Sequence, residues 1–193
     1  MSKIRLGAVA GAAGLVIVAF GFRTPVKAGD ESEFDEKHES RARQGLEIAP
    51  VQLNFRGKNR ELVGLGSYLV NSIGGCNDCH TWPNWAPGHN PYIPGQPQQV
   101  NVAVYLAGGR TFVTPIGTFV SRNITPDSAG RPAGLTLDGF RFMLTTGHDP
   151  DDPAYEFQVM PWPTFRLMTD QDIRAIYEYL SAIPSLPSNP PAP

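Results

Sequence analysis

The sequence predicts a mainly α domain with a small β-ribbon and long loops rich in proline and glycine. Three observations lead there. Apolar residues recur at spacings of three and four in two stretches, Leu62–Ile73 and Ile173–Leu180. Between them lie short alternating runs broken by Gly108-Gly109 and Pro115-Ile116-Gly117. The chain also holds 20 glycines and 19 prolines in 193 residues, which leaves much of it to turns.

Residues 1–28 read as a signal peptide. Lys3 and Arg5 precede an apolar run from Leu6 to Phe22, and Val26-Lys27-Ala28 fits a small-residue cleavage site. The alternative is an uncleaved anchor, although the run is at the short limit for a span. Both readings export the body of the protein to the periplasm, where an uncleaved segment would tether it to the inner membrane. Removing 1–28 takes four of the 16 basic residues and none of the 18 acidic ones, leaving a net charge of −6. No basic patch stands out, so nucleic acid is not an expected partner.

Residues 29–59 begin "GDESEFDEKHESRARQG" and read as a polar N-terminal arm, extended or partly disordered. The domain proper is expected over 60–185. It opens with a helix whose stripe is Leu62, Leu65, Leu69 and Ile73, ended by Gly74-Gly75. Gly64 and Gly66 lower helix propensity and suit a close approach of neighbouring backbone. Five prolines between 83 and 99 require a loop. Runs at Val100–Leu106, Thr111–Val113 and Thr118–Ser121 predict the ribbon. "LTLDGFRFMLTTG" predicts a short helix capped by Thr136, buried through Phe140, Met143 and Leu144, and ended by Gly147. The last helix has Thr169 as its cap and Ile173, Ile176, Tyr177 and Leu180 on one face. The tail 186–193 is Pro-rich and expected to be unpacked.

Both cysteines of the chain lie in "GGCNDCHTW". Cys76-x-x-Cys79-His80 is the spacing of covalent c-type haem attachment. Two thiols three residues apart can add to the two vinyl groups of one haem, and the next residue then lies under the iron. A redox dithiol needs a strand before the first cysteine and a helix starting at it, whereas here a helix precedes the motif and a Pro-rich loop follows. A zinc site needs two further ligands, and His38, His89 and His148 are scattered. A structural disulfide across so short a loop would stabilise little.

An electron-carrying haem needs a second axial ligand, and His/Met pairing raises the potential. Met1 lies in the signal segment, and Met143 and Met168 fit core positions. Met160, in "QVMPWPTF", sits where Pro161 and Pro163 exclude regular helix and brace the chain. It is the candidate sixth ligand, with His148 its rival. His148, His89 and His38 otherwise read as exposed or solvated.

These features together resemble a class I c-type cytochrome. The matching parts are a first helix with Gly66 and Tyr68, the motif Cys76–His80, the loop Met160-Pro161, and a final amphipathic helix with Tyr177 and Tyr179. More narrowly, "GRTFVTPIGTFVSRNITPD", "MPWPTF" and "LMTDQDIRAIYEYLSAIPS" resemble the haem domains of cytochrome subunits of membrane-bound alcohol and gluconate dehydrogenases. Those subunits hold three haem domains in one chain, and this sequence has one motif. The resemblance implies a single-haem class I cytochrome c fold, with one covalent haem c held by Cys76 and Cys79. His80 and Met160 would be the axial ligands of the iron. It also implies that the first and last helices cross beside the haem. Leu69, Ile73, Trp82, Phe140, Leu144 and Trp162 are candidates for the apolar pocket, and Arg110, Asn123 and Trp162 for bonds to a propionate.

The expected function is that of a periplasmic electron carrier without catalytic residues of its own. It would take single electrons from a dehydrogenase or other donor and pass them to an acceptor cytochrome or oxidase. The alternatives are a haem enzyme or sensor with an open sixth site, a thiol–disulfide protein, and a permanent cytochrome subunit of a dehydrogenase complex.

Overall fold

Two helices pressed against opposite sides of a third organise the chain. The computed structural model describes residues 29–191, with side chains from residue 36. The expected signal segment 1–28 lies outside the described residues. Helix α1 spans Gly29–Ile48, α2 Arg60–Tyr68, and α6 Asp170–Leu180. A Cβ on Gly45 of α1 would overlap the Gly64 carbonyl, and one on Gly64 would overlap that of Ala42. On the other side of α2, a Cβ on Gly66 would overlap the Ala175 carbonyl of α6. The two glycines of α2 thus face different neighbours, and the backbones approach as closely as small residues permit.

The reading of 29–59 as an extended arm is corrected by α1. That helix is polar along most of its length, and what it buries is small: Ala42 is 5% exposed and packs with Leu65 and Ala175. Small residues carry little apolar signal, so close backbone packing stabilises a helix that a count of large apolar residues misses.

Asn59 caps α2, its side chain accepting from the amides of Glu61 and Leu62. The helix then widens into a π turn over Leu69–Ile73, closed by a bond from the Gly74 amide to the Leu69 carbonyl at 2.6 Å. The extra residue rotates the chain, so the expected single stripe breaks: Leu65 is buried, but Ile73 is 62% exposed. Helix α3, Cys76–His80, follows directly.

The ribbon is β1 (Thr111–Thr114) antiparallel to β2 (Gly117–Val120), with Thr114 opposite Gly117 across Pro115-Ile116. The expected run Val100–Leu106 is not a strand; Val102–Val104 forms one 3₁₀ turn. Helix α4, Leu137–Thr146, has the expected caps, with Thr136 accepting from Gly139 and Gly147 in the left-handed region at φ 76°. Helix α5 is one turn, Trp162–Phe165. Pro161 and Pro163 were expected to exclude helix there. They are accommodated because a proline in the first turn of a helix costs no intrahelical hydrogen bond. Met160 itself stays outside the turn. Helix α6 begins with a reciprocal capping box between Thr169 and Asp172.

The tail is also corrected. The Asn189 amide donates to the Ala107 carbonyl at 2.9 Å, and the Asn189 side chain donates to the Trp82 carbonyl. Leu186 accepts from the Asn123 side chain at 2.8 Å. Prolines do not prevent docking of a strap whose remaining amides find carbonyls. Among the described residues, no helix is long and apolar enough to cross a membrane.

Candidate functional site

The site begins at the π turn. Asn71, on that turn, donates to the Ser67 carbonyl at 2.9 Å and to the Tyr179 hydroxyl at 3.2 Å. Its side-chain oxygen accepts from the Tyr105 hydroxyl at 2.5 Å, and the two tyrosine hydroxyls are 2.8 Å apart. Burial pushes both tyrosines above their ordinary ionisation range, so they remain protonated partners in a satisfied buried network. That network fixes the turn to α6 and to the segment before the ribbon.

Gly75, at φ 59°, then reverses the chain into α3. Helix α3 has five residues and needs outside support at its C-terminal end. Asn84 donates to the carbonyls of Asn77 and Asp78, Arg110 donates to that of Asp78, and the Gly108 amide donates to that of His80 at 2.7 Å. These bonds satisfy carbonyls that a helix end leaves open.

Cys76, Cys79 and His80 all line one cavity of about 230 Å³, and Met160 lines it too. Its walls are largely apolar, with Ile124 and Leu135 from the segment before α4, Phe140 and Leu144 from α4, and Ile176 and Leu180 from α6. Phe112 and Phe119 of the ribbon also reach it. Of the expected pocket residues, Phe140 and Leu144 line the cavity. Leu69, Ile73, Trp82 and Trp162 are not in its lining. Trp82 instead lies under the Arg110 guanidinium, 5.3 Å from ring centre. Trp162 packs on Gly147, where a Cβ would overlap its indole. Asn123 bonds to Leu186 and Thr125 rather than standing free.

The electrostatics of the three motif residues are specific. Both thiols are free. Burial pushes the Cys76 thiol up to about 12, opposed by a backbone hydrogen bond and reinforced by Cys79 and Asp78. Cys79 is also raised by burial, with Arg110 opposing. Reactive dithiols depend on a lowered thiol pKa, and these two move the other way. The His80 Nδ1 lies 2.7 Å from the Arg122 carbonyl. A carbonyl only accepts, so Nδ1 carries the proton and Nε2 keeps its lone pair. Burial also lowers the His80 pKa, with the Arg122 bond opposing, which favours the neutral, ligating form.

Met143 and Met168 line the cavity as well. Met143 is 7% exposed within the core on α4, and Met168 packs against the core just before α6. Met160 sits between them in sequence, on a segment braced by the bond from the Trp162 amide to its own carbonyl at 2.8 Å. The expected exposure of His148 is corrected. Its Nδ1 is buried without a hydrogen-bond partner, and its backbone bridges to Glu156. His148 is not among the cavity-lining residues, whereas its neighbour Asp149 is. His89 lies in the Pro-rich loop, its Nδ1 2.9 Å from the Pro87 carbonyl.

The donor set fits covalent haem. An apolar cavity has two unpaired thiols on one wall, an imidazole with a free lone pair beside them, and thioethers among its other lining groups. Sequence reasoning missed Arg122 and Asp149, which pair at 2.6 Å on the cavity lining. Their only sequence signal was charge, and nothing in the spacing joins them.

No protein-family model matches the chain. It is 31% identical over 121 residues to the gluconate 2-dehydrogenase cytochrome c subunit of Pantoea cypripedii, covering 63% of this chain and 23% of that one. It is 34% identical over 118 residues to the alcohol dehydrogenase (quinone) cytochrome c subunit of Gluconobacter oxydans, covering 61% and 20%. The fructose dehydrogenase cytochrome subunit of Gluconobacter japonicus is 28% identical over 131 residues, covering 68% and 23%. The matched span is thus less than a quarter of each of these relatives. In sequence, the chain is similar to the cytochrome c subunits of gluconate and alcohol dehydrogenases and to the cytochrome subunit of fructose dehydrogenase.

Proposed function

We propose that this chain is a periplasmic single-haem c-type cytochrome that carries electrons from a dehydrogenase to a downstream acceptor cytochrome or oxidase. The observation that carries the reading is the cavity that gathers Cys76, Cys79, His80 and Met160 within apolar walls. Cys76 and Cys79 would hold the haem by thioether bonds, with His80 Nε2 and the Met160 sulfur as axial ligands. When bound, the haem supplies an iron that cycles between ferric and ferrous states, at a potential raised by His/Met ligation. The chain's own residues hold that site still: the Arg122 carbonyl fixes the imidazole, and largely apolar walls surround it. The similarity to dehydrogenase cytochrome subunits supports the choice of donor.

The same similarity favours a second form of the reading, in which the chain is a permanent subunit of a dehydrogenase complex. Co-purification separates the two: a dehydrogenase retained through high-salt washing supports the subunit, and a free cytochrome the mobile carrier. The haem reading itself is tested on matured protein run on a denaturing gel. A haem stain that persists in the wild type and vanishes in a Cys76→Ser/Cys79→Ser double variant is expected; a colourless wild type would sink the reading. Met160→Ala is expected to lose the weak far-red band of ferric His/Met haem. Retention of that band would reassign the sixth ligand.

A further inference from the structure

We infer that Arg122 and Asp149 form a latch that holds the Met160 segment against the His80 wall, making them positioning residues for the sixth ligand. This rests on the haem reading above. Arg122 serves both walls. Its carbonyl accepts from His80 Nδ1 at 2.7 Å, and its guanidinium Nη1 lies 2.6 Å from Asp149 Oδ2. The guanidinium also lies over the rings of Tyr155 and Phe157, at 5.8 and 5.3 Å from their centres. Those aromatics belong to the segment that leads from α4 to Met160.

Asp149 is built into that segment. It is 6% exposed, its Oδ1 accepts from the Asp151 amide at 3.0 Å, and its own amide donates to the Tyr155 carbonyl at 3.0 Å. The Phe157 amide donates to the Gly147 carbonyl at 2.8 Å, closing the base of the loop. The carboxylate is therefore fixed in the loop, and the loop is tied to the other wall through Arg122. Arg131–Asp127 and Arg141–Asp138 are local along the chain, and the pairs Arg141–Asp170 and Lys58–Glu178, which do join distant segments, do not line the cavity. With Arg122 removed, a nearly buried carboxylate loses its charged partner, and swinging the loop outward restores its hydration. Opening the loop moves Met160 away from the cavity while Cys76, Cys79 and His80 stay on α3.

The latch is tested by how easily an external ligand takes the place of the Met160 sulfur. Imidazole is titrated into the ferric holoprotein, and amide exchange is followed over residues 150–160. Asp149→Asn is expected to raise imidazole affinity by about fivefold, the effect of one partly exposed charged contact on a closing equilibrium. It is also expected to speed exchange in that segment while leaving gel-stable haem unchanged. The charge-swapped pair Arg122→Asp/Asp149→Arg is expected to recover much of the wild-type affinity. Affinity and exchange that stay within about twofold of wild type, with only Tm lowered, overturn the latch and leave an ordinary stabilising pair. If Asp149→Asn does not fold, Arg122→Met, which removes the charge, carries the same titration, with raised affinity supporting the latch and unchanged affinity overturning it. A wild-type chain without covalent haem removes the haem reading instead, and exchange over 150–160 in that chain still decides whether the pair closes the loop.

Discussion

Thr81, the residue directly after the motif, is fully buried, and its hydroxyl accepts from the Leu106 amide at 2.9 Å. Leu106 is itself buried with φ 59°, a region that L-residues with a Cβ occupy at a cost. The Thr81 hydroxyl holds that conformation beside the ribbon. Thr81→Val keeps the shape and strands a buried amide, so a loss of about 1–3 kcal/mol is expected in denaturant unfolding. Asp127 makes a different kind of bond set: its carboxylate accepts from the amides of Arg131 and Ala129 and pairs with the Arg131 side chain. These bonds, the Arg131 amide foremost, hold its carboxyl below the usual range. A folded-state pKa below the unfolded one stabilises above the unfolded value, near pH 4, and the contribution fades as pH falls through the folded one. Wild type is therefore expected to exceed Asp127→Asn in stability at neutral pH, with the gap closing in acid. Urea melts at several pH values check this. Cys76, Cys79, His80 and Met160 were picked out by residue type and spacing, and the structure brings all four to one cavity. Thr81, Arg122 and Asp149 were not, because their partners lie 25 to 42 residues away in the chain.

Helices α4 and α6 were legible to their caps because both begin with a threonine whose side chain has an amide to bond. Thr169→Ala removes the capping box of α6 and is expected to cost about 1 kcal/mol in thermal or denaturant melts. Helix α1 and the π turn were not legible, for separate reasons. The first buries small residues against glycines; the second depends on Asn71 meeting two tyrosines from distant segments. The position of α2 between α1 and α6 leads to a sharper expectation. Gly66→Ala places a methyl against the Ala175 carbonyl and Tyr179, so α2 and α6 must separate. A cost of about 1–3 kcal/mol or more is expected in unfolding, and under the proposed function the far-red band assigned to Met160 is lost at lower denaturant than in wild type, since α6 walls the cavity. Gly139 of α4, where an added Cβ meets only ordinary van der Waals contacts with Thr136 and Pro150, provides the control.

The chain as a unit is closed by its ends. Helix α1 covers one side of α2, and the strap 186–190 ties down the segments around Trp82 and Ala107. The general order expected from sequence, with a glycine-bearing first helix crossing an aromatic last helix beside the motif, is what α2 and α6 present through Gly66, Ala175 and Tyr179. The closure was hidden from the sequence because composition alone made both ends look unpacked. One consequence concerns biosynthesis. The thiols sit on α3, early in the described chain, whereas Ile176 and Leu180 of α6 complete the cavity near its far end. Under the proposed function the chain crosses the membrane from its N-terminal side, so the cysteines reach the periplasm before the last helix does. A haem bonded at that stage, as the proposed function has it, would join a chain that has no back wall yet, and α6 could then fold down over it rather than having to open to admit it.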